Sequence, residues 1–480
     1  MIENIVENKQ FSSICRFSEN YDYIIDSEGN QVLLDDPRIV HVLPEARNKY
    51  GIRLVKNLYE RYNRNIRITK ETDALTIQFG KKICSGKECL ALVAMVGAVL
   101  KDINENRTKD EITIYRASID QHGPCQNGGW PVIWETFSKR LQTKNCIFNI
   151  LPNYRNKFLG LSQDLLATEN MSFLIGNYLI EAKNALYCIA EDPESAIMQF
   201  EKLTDIYINR VKDGKVSLKS GLLKWAREIE KIPRKISIEE APKVLVFGGL
   251  NLMFNYYPVE KFFLKKGIIP KVVDYTESIL LVFSEPLIRF GFKKGQMSPE
   301  EQFNISTIDE SILSDKEIKE FKKVKRSKKK IELVESQIKT FRRLMRKAKL
   351  LVDPDTEVLT YLIKGHPFAS LNTCTETTCI IGRYLDSIEN EVYDGLINLG
   401  TFNCQPAMNS QAIIRPMANK SNIPYAAVDC EGPWLSSNQL RLLETNAIQA
   451  KRLRKKRNEK NKELYKELLF NCNSNLAEDF

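Results

Sequence analysis

Short runs of β-branched and apolar residues recur along this chain, separated by longer stretches with helical spacing. ITIYRAS (112–118), CIFNIL (146–151), KVLVFGG (243–249), KVVDYT (271–276), VLTYLIKG (358–365), GLINLGTF (395–402) and YAAVDCEG (425–432) each read as a buried strand. PRIVHVL (37–43) adds a further extended run. ECLALVAMVGAVLKDI (88–103) is apolar nearly all round, which predicts a buried helix. Residues 47–64 mix helical and extended pieces, and 155–235 read as helical before the spaced prolines of KIPRKISIEEAPK (231–243). A helix is expected around YYPVEKFFLKKG (256–267). Strands alternating with helices predict parallel sheets covered on both faces. We read two α/β lobes, 1–240 and 241–480, and no internal repeat of fixed period.

The segment 316–350 changes that picture little. Its apolar positions Ile318, Phe321, Val324, Ile331, Val334, Ile338, Phe341 and Leu344 are helically spaced, so one or two helices packed on the second lobe are expected within 306–350. This segment and KRLRKKRNEK (451–460) carry much of the +10 net charge. Such runs are ordinarily solvated helix faces; docking of an acidic redox partner is the functional alternative. No zinc-finger spacing, RNP-like strand or other nucleic-acid module accompanies them. No apolar run is long enough to span a bilayer, and MIENIVENKQ lacks the pattern of a secretory signal, so a cytoplasmic location is expected.

Cysteine usage is the more informative number. Eleven cysteines without a secretion signal argue against a disulfide framework and toward burial, metal binding or redox work. With only three histidines, His41, His122 and His366, a histidine-rich metal site is disfavoured. Cys125, in QHGPCQNGGW (121–130), and Cys404, in FNCQPAMN (402–409), each follow a strand, where the crevice of an open α/β sheet lies. Cys89 follows Ser85 and Glu88, whose spacing predicts a capping box and a helix starting at Ser85. Its thiolate would then lie in the first helical turn, where the dipole favours negative charge. An iron–sulfur cluster is such an anion, and Gly123, Gly128 and Gly129 would let backbone amides approach it. Each cysteine taken singly also fits a small buried hydrophobe.

SGKEC (85–89), HGPCQ (122–126) and FNCQPAMN (402–409), in that order, resemble the cysteine motifs of the 2-hydroxyacyl-CoA dehydratase and benzoyl-CoA reductase superfamily, in particular the cysteine-bearing region associated with its activases. Residues 243–268 and 428–443 resemble the opening of the family's second lobe and a later strand–helix segment. The resemblance implies two flavodoxin-like lobes and a cluster on Cys89, Cys125 and Cys404, either [4Fe–4S] with one open iron position or a double-cubane arrangement. It also implies an ATP-dependent activase of the ASKHA type as electron donor, an acyl-CoA or other small-molecule substrate, and a homodimer or heterodimer. No phosphate-binding loop appears in the chain itself. His122 and Gln126 stand where the family has Asp and Arg, and Asn403 and Gln405 where it has Gly and Leu.

Other candidates carry less. Cys374 and Cys379 form a C-x4-C pair that would add ligands or a redox couple; Cys430 lies between two carboxylates that disfavour a thiolate; Cys84 falls beside Cys89. Cys15, Cys146 and Cys188 read as core, and Cys472 as part of a polar tail. His122 would donate to a cluster sulfur or a substrate, His366 would line a cleft, His41 reads as a satisfied or exposed strand residue, and Trp130 and Trp434 as pocket walls or core anchors. Two rival classes remain. One is an accessory or scaffold protein that binds a partner through its basic helices; the other is a zinc-stabilised α/β protein.

Overall fold

The computed structural model describes residues 15–19, 22–45, 48–119, 125–141, 143–151, 163–248, 256–353, 357–373 and 375–477. A small antiparallel sheet opens the chain, with β1 (Arg16–Phe17), β2 (Tyr23–Ile25) and β3 (Gln31–Leu33). The first large sheet holds β4 (Ile39–Leu43), β5 (Asn65–Ile68), β6 (Ile112–Ile119) and β7 (Cys146–Leu151), all parallel, in the order β5-β4-β6-β7. Its helices are α1 (Lys49–Arg61), α2 (Ala74–Ile83), α3 (Leu90–Glu105) and α4 (Trp130–Leu141). Three helices follow: α5 (Gln163–Ile189), α6 (Pro193–Lys212) and α7 (Leu218–Glu230).

The second large sheet repeats that topology. It takes β8 (Lys243–Gly248), α8 (Tyr256–Lys265), β9 (Ile269–Val272), β10 (Gly395–Thr401) and β11 (Tyr425–Cys430), again all parallel, ordered β11-β10-β8-β9. In each sheet the first strand pairs with both the second and the third, the flavodoxin-like order, and the reversal leaves a crevice at the carboxyl ends of the strands. Between β9 and β10 run α9 (Tyr275–Lys293), α10 (Pro299–Phe303), α11 (Asp315–Met345), α12 (Val358–Gly365) and α13 (Thr377–Asn390). The chain ends with α14 (Gln405–Ala418), after β10, and the long α15 (Ser437–Ala477).

The two lobes also share a helix pair. In α2 and α3, a β-carbon on Gly80 would overlap the Val93 carbonyl oxygen, and one on Gly97 that of Thr76. In α12 and α13, Gly365 faces the Thr378 carbonyl and Gly382 that of Tyr361 in the same way, at the same spacings along the chain. The repeat is therefore of topology, with α9–α11 inserted into the second copy. Such backbone-to-backbone crossings leave no room for a methyl group. Gly97→Ala is expected to cost about 3 kcal/mol, the upper range for overpacking, read from the shift in denaturation midpoint.

Most strands lie where the apolar runs placed them, and β8 and β10 are buried throughout. Three expectations are corrected. VLTYLIKG is helix α12, not a strand, because Val358, Tyr361, Leu362 and Gly365 bury one helical face. KVVDYT is a strand only to Val272, and α9 begins at Tyr275. No helix starts at Ser85: Glu88 accepts from the Ser85, Gly86 and Lys87 amides in a turn, with Gly86 at φ +87°, and α3 begins at Leu90.

Burial explains the rest of the layering. α3 is buried from Leu90 through Asp102, as its all-round apolar sequence demands. The largest core joins the second sheet to α5–α7 and the end of α11. α11 buries Phe321, Val324, Ile331, Val334 and Phe341, so its basic face is the outer one. Among the described residues, no helix is long and apolar enough to cross a membrane.

Candidate functional site

Cys89 is the N-cap residue of α3, and Cys404 the N-cap residue of α14. Cys125 immediately precedes a short 3-10 turn, Gln126–Gly129, that runs into α4. Each thiol therefore stands at the amino end of a helical segment. There unpaired amides and the helix dipole favour negative charge. Correcting the start of α3 moves Cys89 out of the first turn and onto the cap, where its carbonyl accepts from the Leu92 amide (3.0 Å) and its side chain makes no capping hydrogen bond.

Three segments far apart in sequence meet here. The Leu90 amide donates to the Phe402 carbonyl (3.0 Å), joining the Cys89 and Cys404 segments directly. Gln126 ties in the third: its Oε1 accepts from the Cys89 amide (2.7 Å), while its Nε2 lies 3.4 Å from the Lys87 carbonyl and 3.5 Å from that of Asn403. The Phe402 amide also donates to the Cys430 carbonyl (2.9 Å), anchoring the turn on β11. Asn403 adopts φ +61°, a left-handed conformation that asparagine tolerates better than most residues other than glycine.

Burial dominates the electrostatics of both capping thiols. It pushes Cys404 up to about 12, with further raising by Glu376 and Cys89, against an opposing amide from Ala407. Cys89 is raised too, by burial first, then opposed by its amides and raised again by Glu376. Both are therefore protonated thiols at neutral pH, and binding a metal would release their protons. Cys125 is only half-buried. In metal-free protein at pH 7, iodoacetamide is expected to label Cys125 well before Cys89 or Cys404, as peptide mass spectrometry of timed samples would read out.

The remaining candidates fall as follows. Cys84 caps the end of α2, and burial, with Glu88 and Cys89, raises it to about 12. Cys430 is buried and raised to about 12, chiefly by burial rather than by Asp429 and Glu431. Cys379 is buried on α13, and Cys15, Cys146 and Cys188 are core residues. Cys472 lies on α15. His122 and Cys374 lie outside the described residues. His366 is the C-cap residue of α12. His41 is corrected: it is 1% exposed, its ring nitrogens have no hydrogen-bond partner among the described residues, and burial drives it down to about 3. A neutral imidazole packed edge-on against Tyr59 is a core group. Trp130 is buried, whereas Trp434 is 44% exposed and covers Gly432.

Sequence reasoning missed Gln126 as a tie and Glu376 altogether. Glu376, the N-cap residue of α13, is 6% exposed and acts on both capping thiols. Its only sequence signal is a lone acidic residue in TETT, indistinguishable from any loop glutamate.

Thiols at the amino ends of helical segments are donor chemistry that an iron–sulfur cluster takes. Among the described residues, no three His, Cys, Asp or Glu side chains gather tightly enough for a single metal ion. No protein-family model and no curated protein matches this chain.

Proposed function

We propose that this chain is an iron–sulfur protein related to the 2-hydroxyacyl-CoA dehydratases, with Cys89, Cys125 and Cys404 as the cluster ligands. The observation that carries the reading is the junction of three distant cysteine segments through Gln126 and the Leu90–Phe402 hydrogen bond. The helix amino ends would stabilise the negative charge of the thiolates, and Gln126 would hold the segments in register. A bound cluster would supply low-potential electron transfer, or polarise a substrate oxygen in a reductive or dehydration step. The electron would come from a separate ATP-dependent activase, in the cytoplasm, to a homodimer or heterodimer acting on an acyl-CoA or another small molecule.

Iron and sulfide determination on anaerobically purified protein tests this. About four irons per chain with a broad band near ~400 nm, lost in Cys125→Ala, is the expected result. About eight irons would indicate a double-cubane cluster. A colourless protein, unchanged after reconstitution, would overturn the reading.

A second reading, an accessory protein that binds an acidic partner, draws on one feature. Lys235, Lys451, Lys455 and Lys462 line a cleft of about 590 Å³ beside the amino ends of the second sheet's strands. That cleft and Cys404 lie at opposite ends of the second sheet, so partner binding there would not require a cluster.

A further inference from the structure

The cleft between α15 and the amino ends of the second sheet's strands is firmly built, and its charge is out of balance. Asn458 Nδ2 donates to the Glu240 carbonyl (3.0 Å) and Arg454 to that of Glu239 (2.9 Å), fastening α15 to the segment that leads into β8. Arg454, Lys455, Asn458 and Lys462 follow Lys451 at three, four, seven and eleven residues, which places all five on one side of the helix. Lys235 joins them from the connection between α7 and β8, and Lys266 from the turn after α8. The volume they line, about 590 Å³, suits a small molecule.

Only two carboxylates, Glu240 and Glu459, line the cleft beside these six cations. Glu240 accepts from the Ser237 amide (3.0 Å), and Glu459 lies 4.0 Å from Lys455. Lys266 pairs with Glu444 (2.7 Å), but Lys235, Lys451 and Lys462 form no ion pair among the described residues. The surplus continues behind the wall, where Arg454 and Arg457 share one fully buried carboxylate, Asp394. Burial, and then Arg454, push the neighbouring Lys243 down to about 8. A cleft lined by one sign of charge focuses its field on whatever enters it. The free groups also select the anion. Arg454, the guanidinium of the cleft, is spent on Asp394 and on the Glu239 and Val392 carbonyls, so no fork remains for a planar carboxylate. What remains are ammonium groups, point charges that suit phosphate oxygens. Lys451 and Lys462 stand roughly 16 Å apart along the helix axis, so a chain of phosphates meets more of these amines than a single phosphate does.

We propose that this cleft binds a small oligophosphate, either free or as the phosphate tail of a nucleotide. The inference stands apart from the reading of the cysteines as cluster ligands. It gives the cleft a small ligand where the accessory reading gives it an acidic protein.

The test is calorimetric titration of the full-length protein with tripolyphosphate, ATP and a polyglutamate peptide. Two double variants carry the same change of net charge: Lys451→Glu with Lys455→Glu in the cleft, and Lys322→Glu with Lys323→Glu on the exposed face of α11. Lys451→Gln with Lys455→Gln serves as a milder cleft variant, and circular dichroism checks that each protein folds. One tripolyphosphate is expected to bind per chain, about tenfold or more weaker in both cleft variants, the loss of a charge-assisted contact, and little changed in the α11 variant. ATP binding more tightly than tripolyphosphate would identify a nucleotide, and equal binding the phosphate chain alone; either supports the site. No binding of tripolyphosphate, or equal weakening in the cleft and α11 variants, would overturn it. Polyglutamate held by the cleft lysines without tripolyphosphate would overturn it in favour of the accessory reading. Iron content judges the cysteine reading separately, so iron-free protein that binds tripolyphosphate would overturn that reading and leave this one standing.

Discussion

Replacing Lys271 with methionine is expected to destabilise the protein by about 3–5 kcal/mol, the cost of breaking a buried charge network from one side. Lys271 lies in β9 at 1% exposure, with its Nζ 2.7 Å from Glu181, 2.9 Å from Asp274 and 3.8 Å from Asp353. Burial alone would lower its pKa, but the three carboxylates reverse that and hold it above the ordinary lysine value. The network continues outward: Asp353 also accepts from Arg383 and Tyr393, and Glu181 accepts from the amide of Asp353 (3.2 Å). Removing the lysine leaves those anions without their central cation. Urea denaturation of wild type and Lys271→Met measures the loss. The double variant Lys271→Met, Glu181→Met should recover part of it, because removing both partners costs less than orphaning one.

As pH rises from 4.5 to 8, the stability of Glu277→Gln relative to wild type is expected to grow by about 3 kcal/mol. Glu277, on α9, is raised from its usual value to about 7, first by burial and then by Asp353 and Asp274, despite opposing contributions from Arg383 and Lys271. Arg383 is its nearest cation, at 3.6 Å. The sign follows from proton counts. Between the ordinary value of 4.5 and about 7, the folded protein retains a proton that the unfolded chain has lost, so stability falls as pH rises. Above about 7 the whole penalty is present. Glutamine has no such proton, so the variant should lack this part of the fall, and the difference between the two stability curves isolates it; Glu45, raised to about 8 by burial, contributes equally to both. Equal pH dependence in the two proteins would show that Glu277 ionises normally.

The sheets were legible because their strands are short, apolar and buried on both faces, as in GLINLGTF and KVLVFGG. The same simplicity misled at VLTYLIKG, where eight residues hold too little pattern to separate a buried helix from a strand. At Ser85 half of the predicted capping box forms, with Glu88 accepting from the Ser85 amide, but the Ser85 hydroxyl accepts from Lys87 instead and a left-handed Gly86 bends the segment into a turn. The repeated topology was hidden because only spaced glycines and strand order carry it, and α9–α11 separate its parts in the second copy. Cys89 and Cys404 were legible as residues at element ends. Their meeting was not, since it depends on Gln126 and on main-chain groups that leave no mark in composition.

The Leu90–Phe402 hydrogen bond also imposes an order of events during synthesis. Translation delivers Cys89 and Cys125 with the first sheet, long before Phe402 and Cys404 emerge. Until β10 has docked, the earlier thiols lack their enclosing partner and remain open to oxidants and stray metals. Completion of this three-segment junction is thus a late, whole-chain event.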